Sequence, residues 1–459
     1  MASLFLKPYN LFLLIAIPFG LIYIVASPPL RTPDERAHMI KIYKFSEGEF
    51  KDSRIAKGID DFTKQAYAQN HDPINGRYTI SRIIAMASIP LLKDQLVLVR
   101  WFYNDLYSPV PYLPQIAAFM IGKACNLSPV LLMYMGRFFA FIAATLLTYI
   151  SIRIIPTNQW ALCFIALLPT PVYLRSSLSA DSLTAALAFL FTALLFQTAS
   201  LEVISRKRLL SLSIMAIGIA MCKSIYVVML LAVLIIPRQK FDKLSGYIRT
   251  LSLITLPAFI LETGWSSIAK PNVFMHLSSI VLPSATVDPD KQQYDLFWHP
   301  HFYLEALYNY LHSLGYIKSL IASYVANMGL MDRPIDQSFI ALAAILVIIF
   351  TLFAKTDTAL SFSLKARDRF LLLGLFGGIF ILMTLANYIV WTPYRSPTID
   401  GMQGRYLIPI IPLLLISLAP NIAGRKTLPV PVTAVLVLIG SVVLLTAGLR
   451  ELGMHDFIF

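Results

Sequence analysis

Apolar residues run through this chain in long blocks, broken by short stretches where Lys, Arg, Pro and Gly gather. A helix needs about 20 mostly apolar residues to cross a bilayer. In hydrocarbon every backbone N–H and C=O must find its partner inside the segment, so such blocks read as helices. About eleven blocks qualify. The first five are Leu11 to Ser27, Val130 to Ser151, Gln159 to Leu174, Leu183 to Leu201 and Leu209 to Cys222. The rest are Ile225 to Ile236, Ile248 to Trp265, Ser338 to Phe353, Phe370 to Trp391, Arg405 to Ala419 and Leu428 to Ala447. Ile225 to Ile236 is short, which implies a broken span or a locally thinned bilayer. The first block follows Lys7 and is read as an uncleaved first helix, because further spans follow it.

Two stretches are too long and too polar to be turns, 28–129 and 266–337. They are expected to form large external loops holding juxtamembrane amphipathic helices. In Phe302 to Leu330, Leu304, Leu307, Tyr308, Leu311, Leu314 and Ile317 recur at helical spacing, with Glu305 and His312 off that stripe. Such helices lie in the interface plane. Pro109 to Ala124 is apolar but short, proline-rich at its start, and carries Lys123. It is expected to lie along the membrane, since one more crossing would invert the charge pattern downstream. No polar linker or internal repeat divides residues 1–459, so the expected fold is one all-α integral membrane bundle of about 11 helices.

Composition agrees. Apolar residues make up 57%, charged residues only 14%, and the mean hydropathy is +0.68; a soluble domain carries about 25% charged residues. The net charge of +13 is spread between the apolar blocks and forms no single patch, so no nucleic-acid partner is implied. With the N-terminus in the cytoplasm, the returning turns carry Arg153, then Arg206 to Arg208, then Arg238, Lys240, Lys243 and Arg249. Later ones carry Lys355, Lys365, Arg367, Arg369, Arg425 and Lys426. The short outside loops carry only Arg175, Lys223 and Arg395, as the positive-inside rule requires. Cys125, Cys163 and Cys222 are scattered and show no metal or redox spacing.

Candidate chemistry lies at the outer ends of the blocks. Thr32-Pro33-Asp34-Glu35 reads as a capping box, with Thr32 as N-cap and a helix ending near Gly48. Asp34 and His38, four apart, also share a helix face, where they could deprotonate a hydroxyl or hold a divalent metal. Ser179-Ala180-Asp181 is another N-cap, and places a second carboxylate on the same side. In Gln403-Gly404-Arg405-Tyr406, Arg405 either snorkels to the interface or grips a phosphate. Arg137 lies within a span and needs an interior partner. His71, His299, His301 and His312 show no zinc spacing and read as solvated loop residues.

At these residues the chain resembles the domain of unknown function 2142 family of bacterial membrane proteins, placed with the GT-C glycosyltransferases. The matching pieces are Pro33-Asp34-Glu35-x-x-His38 with Ser46-Glu47-Gly48, Pro111-Tyr112-Leu113-Pro114-Gln115, Arg137, and Ser179-x-Asp181. They continue with Lys223 and Tyr226, Met328-Gly329-Leu330-Met331-Asp332, and Gly404-Arg405-Tyr406-x-x-Pro409. The resemblance implies a multi-pass protein of the bacterial inner membrane with an extracytoplasmic active site. It implies an acidic base at Asp34 or Glu35, a second acid at Asp181, and lipid-phosphate contacts from Arg405, Lys223 and Arg137. Tyr406 and Tyr226 join that phosphate set, with His38 and Asp181 as acceptor or metal candidates. The expected reaction moves a sugar from a polyprenyl-phosphate-linked donor to a glycan or lipid acceptor, among membrane lipids. Lys223-Ser224 stands where the family has Lys-Pro, which implies a looser hinge. The rival readings are a non-catalytic lipid-linked sugar flippase, which calls for inverted repeats, and a membrane partner in polysaccharide assembly.

Overall fold

The computed structural model describes residues 6–50, 54–72, 77–99, 106–274, 286–355, 364–420 and 427–456. Arg425 and Lys426 of the inside-loop charges, and parts of both large loops, lie outside the described residues. The chain is 74% helical. Its first half holds α1 (Pro8–Ala26), α2 (Glu35–Ser46), α3 (Lys57–Asn70), α4 (Ile80–Ala87), α5 (Leu113–Ala124), α6 (Pro129–Ile154), α7 (Gln159–Ala166), α8 (Pro169–Arg175) and α9 (Ala180–Ser200). The second holds α10 (Arg206–Cys222), α11 (Leu244–Phe274), α12 (Pro289–Trp298), α13 (His301–His312), α14 (Leu314–Val325), α15 (Gln337–Phe353), α16 (Ala366–Val390), α17 (Ile411–Leu418) and α18 (Val430–Asp456).

Among the described residues six helices are long and apolar enough to cross a membrane: α1, α6, α9, α11, α16 and α18. The other apolar blocks are shorter or broken, each for a local reason. Gln159 to Leu174 divides into α7 and α8 at Leu167–Leu168, ahead of Pro169, whose ring and missing N–H cannot continue a helix. Arg405 to Ala419 divides into a 3-10 turn, Gly404–Leu407, and α17, with Pro409 in the gap and Pro412 in the first turn of α17. The short block after Lys223 is a 3-10 helix, Ser224–Ile235. At 2.0 Å per residue its 12 residues reach about 24 Å, against about 18 Å as an α-helix. Winding tighter thus lengthens a block that is otherwise too short.

The bundle is built around α9, buried along 89% of its apolar window, while α11 is buried along only 17%. Leu253, Leu256, Phe259 and Ile260 on α11 are all at least half exposed, as befits side chains whose solvent is lipid. Membrane helices gain little hydrophobic energy from each other and pack through small residues. Gly20 shows this: a Cβ there would lie 2.1 Å from the Phe141 ring, so α1 and α6 could not close. Arg175, counted above as an outside-loop charge, turns inward instead. Its Nη2 donates to Ala166 O at 2.5 Å and the residue is 5% exposed.

The stretch 28–129 packs a second, smaller core onto the bundle, in which Met39, Tyr43, Phe62 and Tyr112 meet Leu178 and Ala180. Strands β1 (Arg54–Ala56) and β2 (Leu96–Leu98) pair antiparallel there, Ile55 opposite Val97. Helix α5 has 12 residues, about 18 Å, well short of a core of about 30 Å. Its Lys123 binds Ser46 O at 2.8 Å and the Glu47 carboxylate. In the second large loop, α13 and α14 bury Tyr303, Ala306 and Tyr310, and turn Leu304, Tyr308, Leu311 and Leu314 outward. Most of the apolar stripe seen in the sequence therefore faces away from the protein, while Leu307 packs against that core. A two-strand hairpin follows, β3 (Asn327–Met328) with β4 (Arg333–Pro334), and Arg31 Nη2 donates to Asp332 Oδ2 at 2.8 Å, tying the two loops together.

Candidate functional site

Four stretches far apart in sequence meet at one end of the bundle, where α1 and α10 end and α9 begins. Arg405 is the centre, 3% exposed. Its Nη2 donates to Asp34 Oδ2 at 2.6 Å, its Nη1 to Asp181 Oδ2 at 3.2 Å, and its Nε to Gln403 Oε1 at 2.5 Å. Lys223 Nζ donates to the other oxygen of Asp181, Oδ1, at 2.5 Å. The Tyr406 ring lies 5.0 Å from the Arg405 guanidinium carbon and 5.2 Å from Lys223 Nζ, and the Tyr107 ring lies 5.3 Å from that same Nζ. Aromatic faces at these distances stabilise cations.

Local chain geometry sets each of these side chains. Gly404 N donates to Ser323 Oγ at 2.7 Å, so the turn carrying Arg405 is seated on α14. A Cβ at Gly404 would lie 2.2 Å from Leu320 O and 2.3 Å from Tyr324 N, both backbone atoms that cannot swing aside. Gly404→Ala is therefore expected to cost about 1–3 kcal/mol and to lower the melting temperature. It should also displace Arg405 from Asp34; an unchanged melting temperature would contradict this seating. Ser179 is the N-cap of α9 and accepts from Asp181 N at 3.1 Å. The cap is thus filled by serine, and Asp181, in the first turn, is left for the cations.

Of the capping box expected at Thr32 only a long bond survives, Thr32 N donating to Glu35 Oε2 at 3.5 Å, and the N-cap itself is corrected by the structure. Helix α2 begins at Glu35, and its N-cap is Asp34 in the left-handed region, φ 61 and ψ 6, with no side-chain capping bond. Asp and Asn tolerate this region better than other residues with a Cβ, at about 1–2 kcal/mol. The twist turns the Asp34 carboxylate to Arg405 and leaves it 48% exposed. The helix ends at Ser46, just before Gly48 at φ 76, as expected.

Glu35 and Arg137 take a different place. Arg137 grips Glu35 with two bonds, Nε to Oε1 at 2.9 Å and Nη2 to Oε2 at 2.7 Å, and both side chains are 0% exposed. Arg137 also donates to Ser27 O at 2.8 Å and Pro28 O at 2.9 Å, and Glu35 Oε1 accepts from Leu178 N at 3.0 Å. The pair staples the 28–129 stretch to α6 and the start of α9. Expected as a base and a phosphate contact, these two residues are instead consumed by each other, away from the Asp34 surface. Tyr226 is likewise a strut: it is 1% exposed and its hydroxyl donates to Tyr406 O at 2.8 Å. Ser224, in the proline's place, anchors its hinge by donating from Oγ to Glu262 Oε1 at 2.5 Å.

His38 lies one turn into α2, with Nδ1 2.7 Å from the Tyr112 hydroxyl. Burial pushes its imidazole down to about 4, against the pull of Asp34. Partial loss of water around the half-exposed Asp34 carboxylate also opposes its charge, but the Arg405 guanidinium holds that carboxyl below its ordinary value. The histidine's effect on stability follows in sign. Between pH 6.5 and about 4 the unfolded chain holds a proton on this residue that the folded chain does not. Stability therefore falls as pH falls through that window, by ~2 kcal/mol at pH 5. The wild type should lose more melting temperature between pH 7 and pH 5 than His38→Gln; equal losses would contradict a neutral buried imidazole.

Among the described residues no three His, Cys, Asp or Glu side chains converge as a metal site requires. His299 and His301 remain beside Phe302 in the second large loop, away from the cluster. Sequence reasoning missed Tyr107, which sits in an aperiodic segment, and the role of Gln403 in orienting the guanidinium. It also missed Glu262, the one carboxylate on α11, which could have been noticed by that alone.

No curated protein and no solved structure matches this chain. Residues 17–414, from the first helix to α17 and including every residue of the cluster, match the family described as predicted membrane protein (DUF2142), and the chain belongs to that family.

Proposed function

We propose that this protein is a membrane glycosyltransferase of GT-C type that uses a polyprenyl-phosphate-linked sugar. One observation carries the reading: two carboxylates and two cations, drawn from four distant stretches, meet at a single end of the bundle, and one carboxylate reaches the surface. In this reading the shorter and broken apolar blocks cross as well, giving about eleven passages. The distribution of Lys and Arg supports a reading with the N-terminus in the cytoplasm and the cluster on the opposite face of the plasma membrane.

The chemistry is a substitution at the sugar's anomeric carbon. The acceptor oxygen forms a bond to that carbon while the bond from carbon to phosphate oxygen breaks. Asp34 takes the acceptor's proton. The polyprenyl phosphate leaves with the bonding pair as an anion and needs charge stabilisation rather than protonation, which Arg405 and Lys223 supply. Asp181 holds those two cations together, and the Tyr406 face supports both. A flippase would use the same cations but has no need of an exposed carboxylate.

Arg405→Lys tests the phosphate role. Lysine keeps the charge but loses the planar fork that now reaches Asp34 and Asp181 together. Transfer from a polyprenyl-phosphate sugar is expected to fall by about 10²–10³-fold with the protein still folded. Transfer at the wild-type rate would remove Arg405 from the mechanism.

A further inference from the structure

We propose that the Arg405–Asp34 ion pair is a resting lock, and that the donor's phosphate opens it by taking the place of Asp34 on Arg405. The inference rests on the transferase reading and adds how donor binding governs the base.

In the structure the cluster is neutral: Asp34 and Asp181 balance Arg405 and Lys223. All three nitrogens of the guanidinium already donate, to Asp34, Asp181 and Gln403. These partners take three of its five N–H groups, and the Tyr406 hydroxyl, 3.4 Å from Nη2, takes a fourth. A phosphate gripped by two N–H groups must therefore displace one of them. Exchange with a carboxylate, unlike exchange with the neutral Gln403, leaves the charge of the cluster unchanged. Asp181 is the poor candidate, because Lys223 also holds it and its side chain is 8% exposed. Asp34 is the good one. Its cation partner within 4 Å is Arg405, its side chain is 48% exposed and can pass into water, and its backbone is held in the left-handed region. Asp181 is shared between Arg405 and Lys223, so once Asp34 leaves, the guanidinium at 3% exposure needs a second anion. Exchange satisfies both: the buried cation keeps a counter-ion, and the carboxylate left over is the one that water can solvate.

The functional consequence is order. While Asp34 accepts from Arg405 it is a poor proton acceptor for a hydroxyl. Once phosphate occupies Arg405, Asp34 is free beside the sugar to be attacked. Donor binding thus switches on the base, and the empty enzyme stays idle.

Exchange makes an unusual prediction, because a residue needed for transfer should oppose donor binding. Farnesyl phosphate, farnesol and inorganic phosphate would each be titrated by calorimetry into full-length protein in nanodiscs, as wild type, Asp34→Asn and Arg405→Met. Asp34→Asn is expected to bind farnesyl phosphate at least about fivefold tighter than wild type, and Arg405→Met to lose it. Farnesol should bind all three alike. A parallel gain for inorganic phosphate in Asp34→Asn would show that the head group alone drives the exchange. A gain seen only with farnesyl phosphate would show that the lipid is required. Equal or weaker binding by folded Asp34→Asn overturns the proposal, as does a wild type that binds no phosphate ligand. The two readings separate cleanly. Tighter binding by Asp34→Asn without transfer from any donor keeps the exchange and sinks the transferase. Transfer by wild type with unchanged binding in Asp34→Asn does the reverse.

Discussion

Asp34→Asn is expected to lower sugar transfer by about 10²–10⁴-fold and to leave the fold in place. Asparagine is nearly isosteric with aspartate and is among the few residues at ease at φ 61, the backbone angle observed there. Its amide oxygen can still accept from Arg405, and Asp181 keeps both Arg405 and Lys223 at 3.2 and 2.5 Å. What is lost is the ability to take a proton. Neither nearby carboxylate among the described residues replaces it: Glu35 is sealed at 0% exposure under Arg137, and Asp181 is committed to two cations. The conservative Asp34→Glu keeps the carboxyl but moves it one methylene and should recover only part of the rate. The check is transfer by each purified variant together with its melting temperature. A slow but folded Asp34→Asn assigns the carboxylate to chemistry, whereas loss of folding would assign it to structure.

The largest effect on stability is expected at the other carboxylate. Breaking the Glu35–Arg137 pair from either side should cost about 3–5 kcal/mol, because the surviving partner is left charged and buried. Arg137→Met leaves Glu35 with one strong backbone donor, Leu178 N at 3.0 Å, and also strips donors from the carbonyls of Ser27 and Pro28. Glu35→Gln keeps the shape but not the charge. Both should lower the melting temperature far more than Asp34→Asn. The double variant Glu35→Leu with Arg137→Met removes both charges, so it should recover part of the loss; full recovery is not expected, since the orphaned carbonyls remain. A melting temperature unmoved by Arg137→Met would mean that the staple contributes little. The pair of results separates two adjacent acids that sequence alone could not tell apart: one step along the chain divides the surface carboxylate from the buried one.

The membrane class and the long helices were legible because lipid demands long apolar runs with internal hydrogen bonding. Blocks such as Pro8–Ala26 and Ala366–Val390 advertise themselves. The breaks were less legible. Proline at 169, 409 and 412 is visible in the sequence, yet whether a proline kinks a membrane helix or ends it depends on which neighbours satisfy the freed carbonyls. The 3-10 winding of Ser224–Ile235 had no local signal at all. At the site, the residue types were legible and their pairing was not. Asp34, Asp181, Lys223 and Arg405 could be singled out as charges at block ends, but their convergence depends on α9 and α10 standing side by side. Thr32 was the better N-cap by context, with proline at the first helical position and glutamate at the third. Tertiary demand overrode it, since Arg137 draws Glu35 into the core and Arg405 draws Asp34 out of the helical region.

The measurement that bears most directly on the account is sugar transfer by the purified full-length protein in nanodiscs. Pools of polyprenyl-phosphate-linked sugars would be the donors, with Asp34→Asn run beside the wild type. The account predicts transfer by the wild type, and its loss in a folded Asp34→Asn that still binds the lipid phosphate. Lipid-phosphate binding without transfer in either protein would contradict it, and would return the cluster to a transport or assembly role.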